Sequence, residues 1–503
     1  MFSRMVISKQ NIRLIFGLKL KQLRQQRGLS FADLSKAAGV SVSYLNEIEK
    51  GKKYPKTEKI IALAEALDVS YDQLVSLKLN KKLAPIADLL NSGILESLPL
   101  ELFGLDPGTV LELITNAPTR INAFISTLVK IARNYEMSQE NFYFAALRSY
   151  QEMHDNYFED LETAVDRFAE TYHLDTQPPL QSVDLLRVLT DTYGYQIDRQ
   201  RLNQHAELRQ FRSVYAPQSR TLYISDSLTA MQKSFLLGKE LAFNYLGMEE
   251  RPTTSNLFQV HSFEEVLNNF KASYFSVALL MNRHEVLRDL THFFDRQDWS
   301  PSAFLDIMHK YRATPEMFFH RISNLLPRYF DIDNFFFLRL NDDLRRDRDH
   351  LTISKELHFS RLHNPHRNDL NEHYCRRWVS VRILEALREH TATDERASDY
   401  LIDVQRSQYI GTPNEYLCIS IARPNTPTPH THVSVTLGIQ VDATSRKRIR
   451  FIDHPAIRTQ EVNKTCERCP LADCAERSAA PSVVQKQAED AQILTRLQAL
   501  IEH

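Results

Sequence analysis

The stretch LRQQRGLSFADLSKAAGVSVSYLNEIEKGKKYPKTEKIIALAEALDV runs from Leu23 to Val69, and its punctuation decides how the front of the chain folds. LKLKQLRQQR carries apolar residues at helical spacing, and Gly28 after it suits the left-handed residue that closes a helix. Ser30 stands where an N-cap belongs, with Asp33 three positions on, the spacing of a reciprocal cap. The helix FADLSKAA stops at Gly39, which fits the bend of a helix-turn-helix. Ser41 caps a third helix, VSYLNEIEKG, in which Leu45 and Ile48 face inward with Val40 while Ser43, Tyr44, Asn46 and Lys50 face out. KIIALAEALDVSYDQLV supplies two more short helices, making five.

Charge singles out the same segment. Residues 12–79 hold twelve Lys or Arg against seven acids, a local excess of five positive charges in a chain whose formal net charge is −1. A nucleic-acid site in such a chain has to come from local asymmetry of this kind. The competing reading is a solvated basic face on a small protein-interaction domain.

The residues Leu23 to Val69 resemble the Xre/lambda-repressor helix-turn-helix family. The resemblance implies that the third helix enters the major groove of double-stranded operator DNA. By position it places Ser41, Ser43, Tyr44 and Asn46 at base edges and Lys50, Lys52 and Lys53 at phosphates.

Composition bounds the rest. A chain of 503 residues exceeds one core and implies several domains. With only 12 glycines it shows neither GxGxxG nor GxxxxGK[ST], which argues against phosphate-cradling loops. The N-terminus does not read as a signal peptide and no run of eighteen apolar residues exists, so no membrane span is expected. Five cysteines, an odd number, argue against a disulfide framework and for reduced thiols in the cytoplasm.

We expect a mainly α multidomain chain. Residues 1–80 form the five-helix DNA-binding domain, 81–175 a helical connector used for dimerisation, and 176–345 a degenerate zincin-like α+β domain. Residues 346–480 form an α+β sensor domain with a cysteine cluster, and 481–503 a C-terminal helix. Leu417 to Ile421 and Val433 to Val441 alternate apolar and polar residues like strands with one buried face, joined by the Pro-rich RPNTPTPH, and Arg448 to Ile452 reads as a third strand. SAAPSVV reads as a linker, and the final helix carries Ile493, Leu494, Leu497, Leu500 and Ile501 for packing on the body or on a second subunit.

RTLYISDSLTAMQKSFLLGKELAFNYLG, Arg220 to Gly247, resembles the ImmA/IrrE-type metallopeptidase domain, in which the long helix carries HExxH. Here the aligned pentad is KELAF, Lys239 to Phe243: a cation and a phenyl ring stand where zinc needs two imidazoles. Glu240 alone cannot hold zinc, so no enzymatic activity is expected. His284 and His320 show no spacing that makes them a site.

Near the end, TCERCPLADCAER places Cys466, Cys469 and Cys474 as C-x2-C-x4-C. Two thiolates at x2 spacing can be aimed at one metal by a turn. Cys375, in EHYCRRW, is the candidate fourth ligand, because Cys418 lies inside an alternating strand. Spacing leaves zinc and an iron–sulfur cluster both open, with the nearby His358, His363, His366 and His373 favouring zinc and Pro470 after Cys469 favouring a cluster.

The DNA-binding head, the degenerate middle, EHYCRRW and TCERCPLADCAER together resemble the short-chain fatty acyl-coenzyme A-responsive transcription regulators. That resemblance implies a [4Fe-4S] cluster on Cys375, Cys466, Cys469 and Cys474, an acyl-coenzyme A effector, and a homodimer. Arg361, Arg376, Arg377 and Arg477 are cations near the cysteines for such an effector, and a solvated face explains them equally well. Competing functions are a metallopeptidase acting on a partner regulator and a zinc-stapled scaffold or antitoxin-like protein.

Overall fold

The computed structural model describes residues 9–76, 139–255, 259–346, 351–359, 372–393, 400–425, 428 and 430–501. Most of the expected connector, and Arg361, His363 and His366, lie outside the described residues. The chain divides into two compact units, Met1–Tyr150 with Val260–Glu264, and Gln151–Gln259 with Glu265–His503.

In the first unit α1 (Lys9–Gln26), α2 (Phe31–Ala38), α3 (Val42–Glu49), α4 (Thr57–Ala66) and α5 (Tyr71–Val75) follow the order read from the sequence. Gly28 and Gly39 take φ of +68° and +62°, the left-handed conformation that ends a helix without a Cβ clash. Ser30 and Asp33 cap α2 reciprocally, and Ser41 Oγ accepts the Tyr44 N–H at 3.2 Å to start α3. Leu34, Leu45, Ile48 and Leu63 form the core with Phe16 and Leu20 of α1. The α1 backbone lies so close to the end of α3 that a Cβ on Gly17 would overlap the carbonyl oxygens of Ile48 and Glu49. Beside it the Arg24 guanidinium donates to both Glu49 oxygens at 2.7 and 2.8 Å and to the Leu29 carbonyl at 3.0 Å. This bidentate pair locks the two helices in one geometry.

The helix α6 (Gln139–Met153) ends ahead of Asp155 and Asn156, both at positive φ, and α7 (Glu159–Thr171) follows. In the second unit α7 and α8 (Ser182–Arg187) precede a small mixed sheet of β1 (Gln196–Asp198), β2 (Ser213–Ala216) and β3 (Thr221–Ile224), ordered β1-β3-β2. β3 leads into α9 (Ala230–Tyr245), the strand-then-helix expected of TLYIS. Then come α10 (Phe263–Leu280), α11 (Arg283–Phe294), α12 (Pro301–Lys310) and α13 (Pro315–Phe330). Arg321 of α13 is fully buried and forks onto Glu162 of α7. Its Nη2 donates to Glu162 Oε2 at 3.0 Å, its Nε donates to the Met281 carbonyl at 2.9 Å, and Tyr274 Oη of α10 donates to Glu162 at 2.8 Å. Burial alone would raise the Glu162 carboxyl, but Arg321 outweighs it and holds the carboxyl below its ordinary value.

A six-stranded sheet completes the unit: β4 (Phe335–Asp343), β5 (Leu351–His358), β6 (Leu401–Tyr409), β7 (Glu415–Pro424), β8 (Thr431–Gln440) and β9 (Arg458–Val462), in the order β5-β4-β8-β7-β6-β9. All neighbours are antiparallel except β6 and β9. α14 (Val379–Thr393) buries Val381, Leu384 and Leu387 against the face that carries Tyr416, Cys418 and Ala422.

Three expectations need correction. The sheet opens at Phe335, so the boundary at 346 cuts through strand-bearing sequence that pairs with β8. Arg448 to Ile452 is not a strand: Asp442 caps the short α15 (Ala443–Arg448), and Ile449, Phe451 and Ile452 are buried through the turn that follows. The stretch mimicked a strand because its apolar side chains all enter the core while Arg450 stays exposed. Finally, α16 (Ser482–Ile501) starts inside the supposed linker, and Ile493, Leu494, Leu497, Leu500 and Ile501 are exposed and do not pack on the body, which leaves the expected alternative of a second subunit.

Candidate functional site

α3 presents a polar face. Ser41, Ser43, Asn46, Lys50, Lys52 and Lys53 are all exposed, while Leu45 and Ile48 hold the helix to the core. The hydroxyl of Ser41 is occupied by its cap, and Lys53 pairs with Glu47 at 2.7 Å. Tyr44 departs from the outward reading: it is half-buried and packs against the core. Sequence reasoning passed over Val42, exposed at the first turn of α3. Its apolar side chain suits a thymine methyl, and the signal for it was an apolar residue that the core pattern did not use.

The four cysteines singled out by spacing line one small pocket of about 10 Å³, together with Arg377 and Arg477. Local pairing brings them there. The Cys375 N–H donates to the Lys464 carbonyl at 3.2 Å, the Cys466 N–H donates to the His373 carbonyl at 2.9 Å, and Tyr374 and Thr465 form an antiparallel bridge. A turn returns the Cys469 N–H to the Cys466 carbonyl at 3.2 Å, the bend that x2 spacing calls for. Arg477 clamps the loop, donating to the carbonyls of Cys466 at 2.8 Å and Cys469 at 3.1 Å. Glu467 accepts from the His373 N–H and faces its Nδ1 at 2.7 Å, so this histidine braces the loop. Cys375, Cys466 and Cys469 are buried and Cys474 is half-buried. Burial pushes the Cys375 thiol up to about 11. Cys418 lies in the sheet core, its thiol pushed up to about 12 by burial, and does not line the pocket. Four soft sulfur donors on two chain segments, with carbonyl-bound Arg477 bracing them, fit a metal or cluster in kind. Among the described residues no group of three or more ligating side chains stands in metal-holding geometry.

The pentad KELAF, Lys239 to Phe243, lies on α9. Lys239 is buried, its amine held near Asn269 and pulled down to about 8 by burial. Phe243, in the second ligand position, lies under the Arg251 guanidinium at 4.1 Å. Glu240 accepts from Arg251 and from Tyr195 Oη at 3.1 Å, and Asn244 donates to that same phenol at 2.9 Å. The carboxylate is thus tied to a guanidinium and a phenol. Neither Lys239 nor Phe243 offers a lone pair to a metal.

A second feature of this unit was not visible in the sequence. A cavity of about 370 Å³ lies between α9, α10, α13 and the strands β4, β5 and β7. Arg212, Arg339, Lys355 and Arg423 line it, with Glu316 as the carboxylate among its lining residues. Glu316 Oε1 accepts from Arg423 at 2.8 Å and Arg339 at 3.3 Å. Burial pushes the Glu316 carboxyl up, but Arg423 and Arg339 outweigh it and hold it at about 2. His320 stacks on Phe337 and meets Lys355 Nζ at 2.7 Å, and burial, then Lys355, hold the imidazole neutral. Of the arginines considered near the cysteines, Arg376, Arg377 and Arg477 line the cysteine pocket, with Arg376 paired to Glu385 at 3.3 Å and Arg477 bound to the carbonyls of the cysteine loop.

Residues 20–74 match the helix-turn-helix family, and residues 190–323 match the IrrE N-terminal-like domain. The chain is similar to the HTH-type transcriptional regulator RamB of Mycobacterium tuberculosis, 23% identical over 335 residues, which are 61% of this chain and 65% of that protein. It thus spans just under two thirds of that relative's length. It is also similar to the HTH-type transcriptional regulator DdrOP3 of Deinococcus deserti, 37% identical over 57 residues, 11% of this chain and 44% of that one. A solved structure titled as a Mycobacterium tuberculosis transcriptional regulator aligns over 66% of this chain and 92% of its own, at 18% identity and a TM-score of 0.44. Among the described residues no helix is long and apolar enough to cross a membrane. The chain therefore carries an N-terminal helix-turn-helix domain and an IrrE-like domain.

Proposed function

We propose that the chain is a DNA-binding transcription regulator that reads an operator through α3 and works as a homodimer in the cytoplasm. The observation that carries this is the α3 face: Ser43 and Asn46 are exposed on a helix held by its own cap and core, with Lys50 and Lys52 exposed in the turn that follows it. Two such heads on one symmetric site supply the affinity that a single short helix lacks. The IrrE-like domain serves as a body and not as a peptidase, because Lys239, Phe243 and the Arg251–Glu240 pair occupy the catalytic positions.

Cys375, Cys466, Cys469 and Cys474 are the residues that would hold an iron–sulfur cluster, with zinc as the alternative. Such a centre would tie the segment around Cys375 to the C-terminal loop. A cluster adds sensitivity to oxidants and iron supply. An effector of the acyl-coenzyme A class is what the family resemblance implies. Ligand or centre then acts by favouring one arrangement of the heads.

Selection of duplexes from a random pool by the full chain tests the central reading. Enrichment of a two-fold symmetric site bound at least 10³ times tighter than random duplex at one stated salt supports it. Recovery of no preferred sequence overturns it.

A further inference from the structure

The cavity behind Glu316 is used by nothing described so far. Four permanent or nearly permanent cations line it against one carboxylate, and Glu316 is shared by Arg339 and Arg423 through a single oxygen. Lys355 spends a hydrogen bond on His320. A neutral imidazole accepts that bond without cancelling the charge. Arg423 is buried, Arg212 and Arg339 are half-buried and Lys355 is exposed. Like charges gathered round one carboxylate repel one another, and an anion completes the set. Two further atoms point the same way. Glu316 Oε2 and Arg423 Nε are buried and have no hydrogen-bond partner among the described residues. One needs a donor and the other an acceptor.

Phe235, Leu236, Phe270, Val277 and Met317 add apolar surface to the cavity. Its volume of about 370 Å³ lies low in the range of small-molecule sites, roughly 300 to 1,000 Å³. That volume holds a compact acid whole.

We propose that this cavity binds a small organic polyanion, a short-chain di- or tricarboxylate bearing a hydroxyl, as an effector. Its carboxylates meet Arg212, Lys355 and Arg423 Nε, and its hydroxyl donates to Glu316 Oε2. Its carbon skeleton rests against Phe270 and Met317. The assignment rests on the regulator reading for its effect on DNA and stands without it as a binding site.

Titration calorimetry of the full chain tests it, with malate, citrate, succinate, inorganic phosphate and a short-chain acyl-coenzyme A as separate probes. Malate or citrate binds with a 1:1 stoichiometry, succinate binds more weakly for want of the hydroxyl, and phosphate binds weakest. Arg212→Gln and Lys355→Gln each weaken the acid at least tenfold, while their melting temperatures without ligand equal or exceed that of the parent chain. That second readout separates a ligand-binding cation from a structural one. Acid binding unchanged in both variants overturns the proposal, as does binding of the coenzyme A thioester with no small acid bound. Binding of phosphate and acids alike, insensitive to both variants, shows an adventitious anion only and overturns it too. If the acid binds but leaves operator affinity unchanged, the effector role falls; if the chain binds no DNA and still binds the acid, the regulator reading falls and the site stands.

Discussion

At the scale of single residues, two side chains carry distinct tests. Asn46 is exposed on α3 with no structural duty in the core. Asn46→Ala should cost about 1 to 3 kcal/mol at one base position of the operator and little elsewhere. Lys50→Ala should weaken all duplexes uniformly and reduce the salt slope by about 1. Binding isotherms over operator variants at several salt concentrations distinguish the two, and an unchanged sequence profile for Asn46→Ala contradicts the assignment of α3. Glu316 sets a pH effect. Its carboxyl moves from 4.5 to about 2 in the folded chain, facing Arg423, Arg339, Arg212, Lys355 and neutral His320. A depressed carboxyl stabilises the fold fully above about pH 4.5, and that contribution is lost as pH falls towards 2. Melting temperature should therefore drop across this window, and Glu316→Gln should flatten the drop. The caps of α2 and α3 were legible in sequence because capping is local, decided within three or four residues. The partner of Glu316 was not: Arg212, Arg339, Lys355 and Arg423 meet only after two sheets and three helices are assembled.

At the scale of elements, the joint of α7, α10 and α13 depends on Arg321 and Glu162, a pair exposed by 0 and 2% in their side chains. Removing one partner leaves an unpaired buried charge. Glu162→Ala or Arg321→Ala should each cost about 3 to 5 kcal/mol. Replacing both with apolar residues of similar size should cost less than either single change, which chemical denaturation can measure. A double variant worse than both singles contradicts this account. The α1–α3 joint is the other fixed contact, where Gly17→Ala should displace α3 through the Ile48 and Glu49 carbonyls and weaken DNA binding. The β7–β8 hairpin was legible from alternation over Leu417–Ile421 and Val433–Val441, but the expected single buried face was not met. Both strands are buried on both faces, because α14 packs on one side and the rest of the unit covers small polar side chains such as Ser420, Ser434 and Thr436. The turn after α15 was not legible, because a short apolar stretch such as Ile449, Phe451 and Ile452 is buried in a turn as readily as in a strand.

At the scale of the whole molecule, the cysteine loop and the final helix share a foundation. The first N–H groups of α16 donate to the Glu467 carbonyl, within the Cys466–Cys469 turn. A centre bound there would order the base of an exposed amphipathic helix. Cys469→Ser should abolish bound iron or zinc in anaerobically purified protein, while Cys418→Ser, in the sheet core, should leave the metal content unchanged. Iron, sulfide and zinc analysis reads the outcome, and a parent chain holding none of these removes the centre from the account. The spacing of Cys466, Cys469 and Cys474 was legible because a turn is a local object. The placement of Cys375 beside them depends on the bridge of Tyr374 to Thr465, a contact spanning about ninety positions.

The central claim is that the chain reads DNA sequence through α3. The most direct measurement is fluorescence anisotropy of the full chain with its selected duplex and a scrambled one, between 50 and 200 mM salt. The account predicts a large preference for the selected duplex, a steep fall in affinity with salt for both, and loss of the preference in Asn46→Ala. Equal affinity for the two duplexes, or affinity that salt does not change, would contradict it.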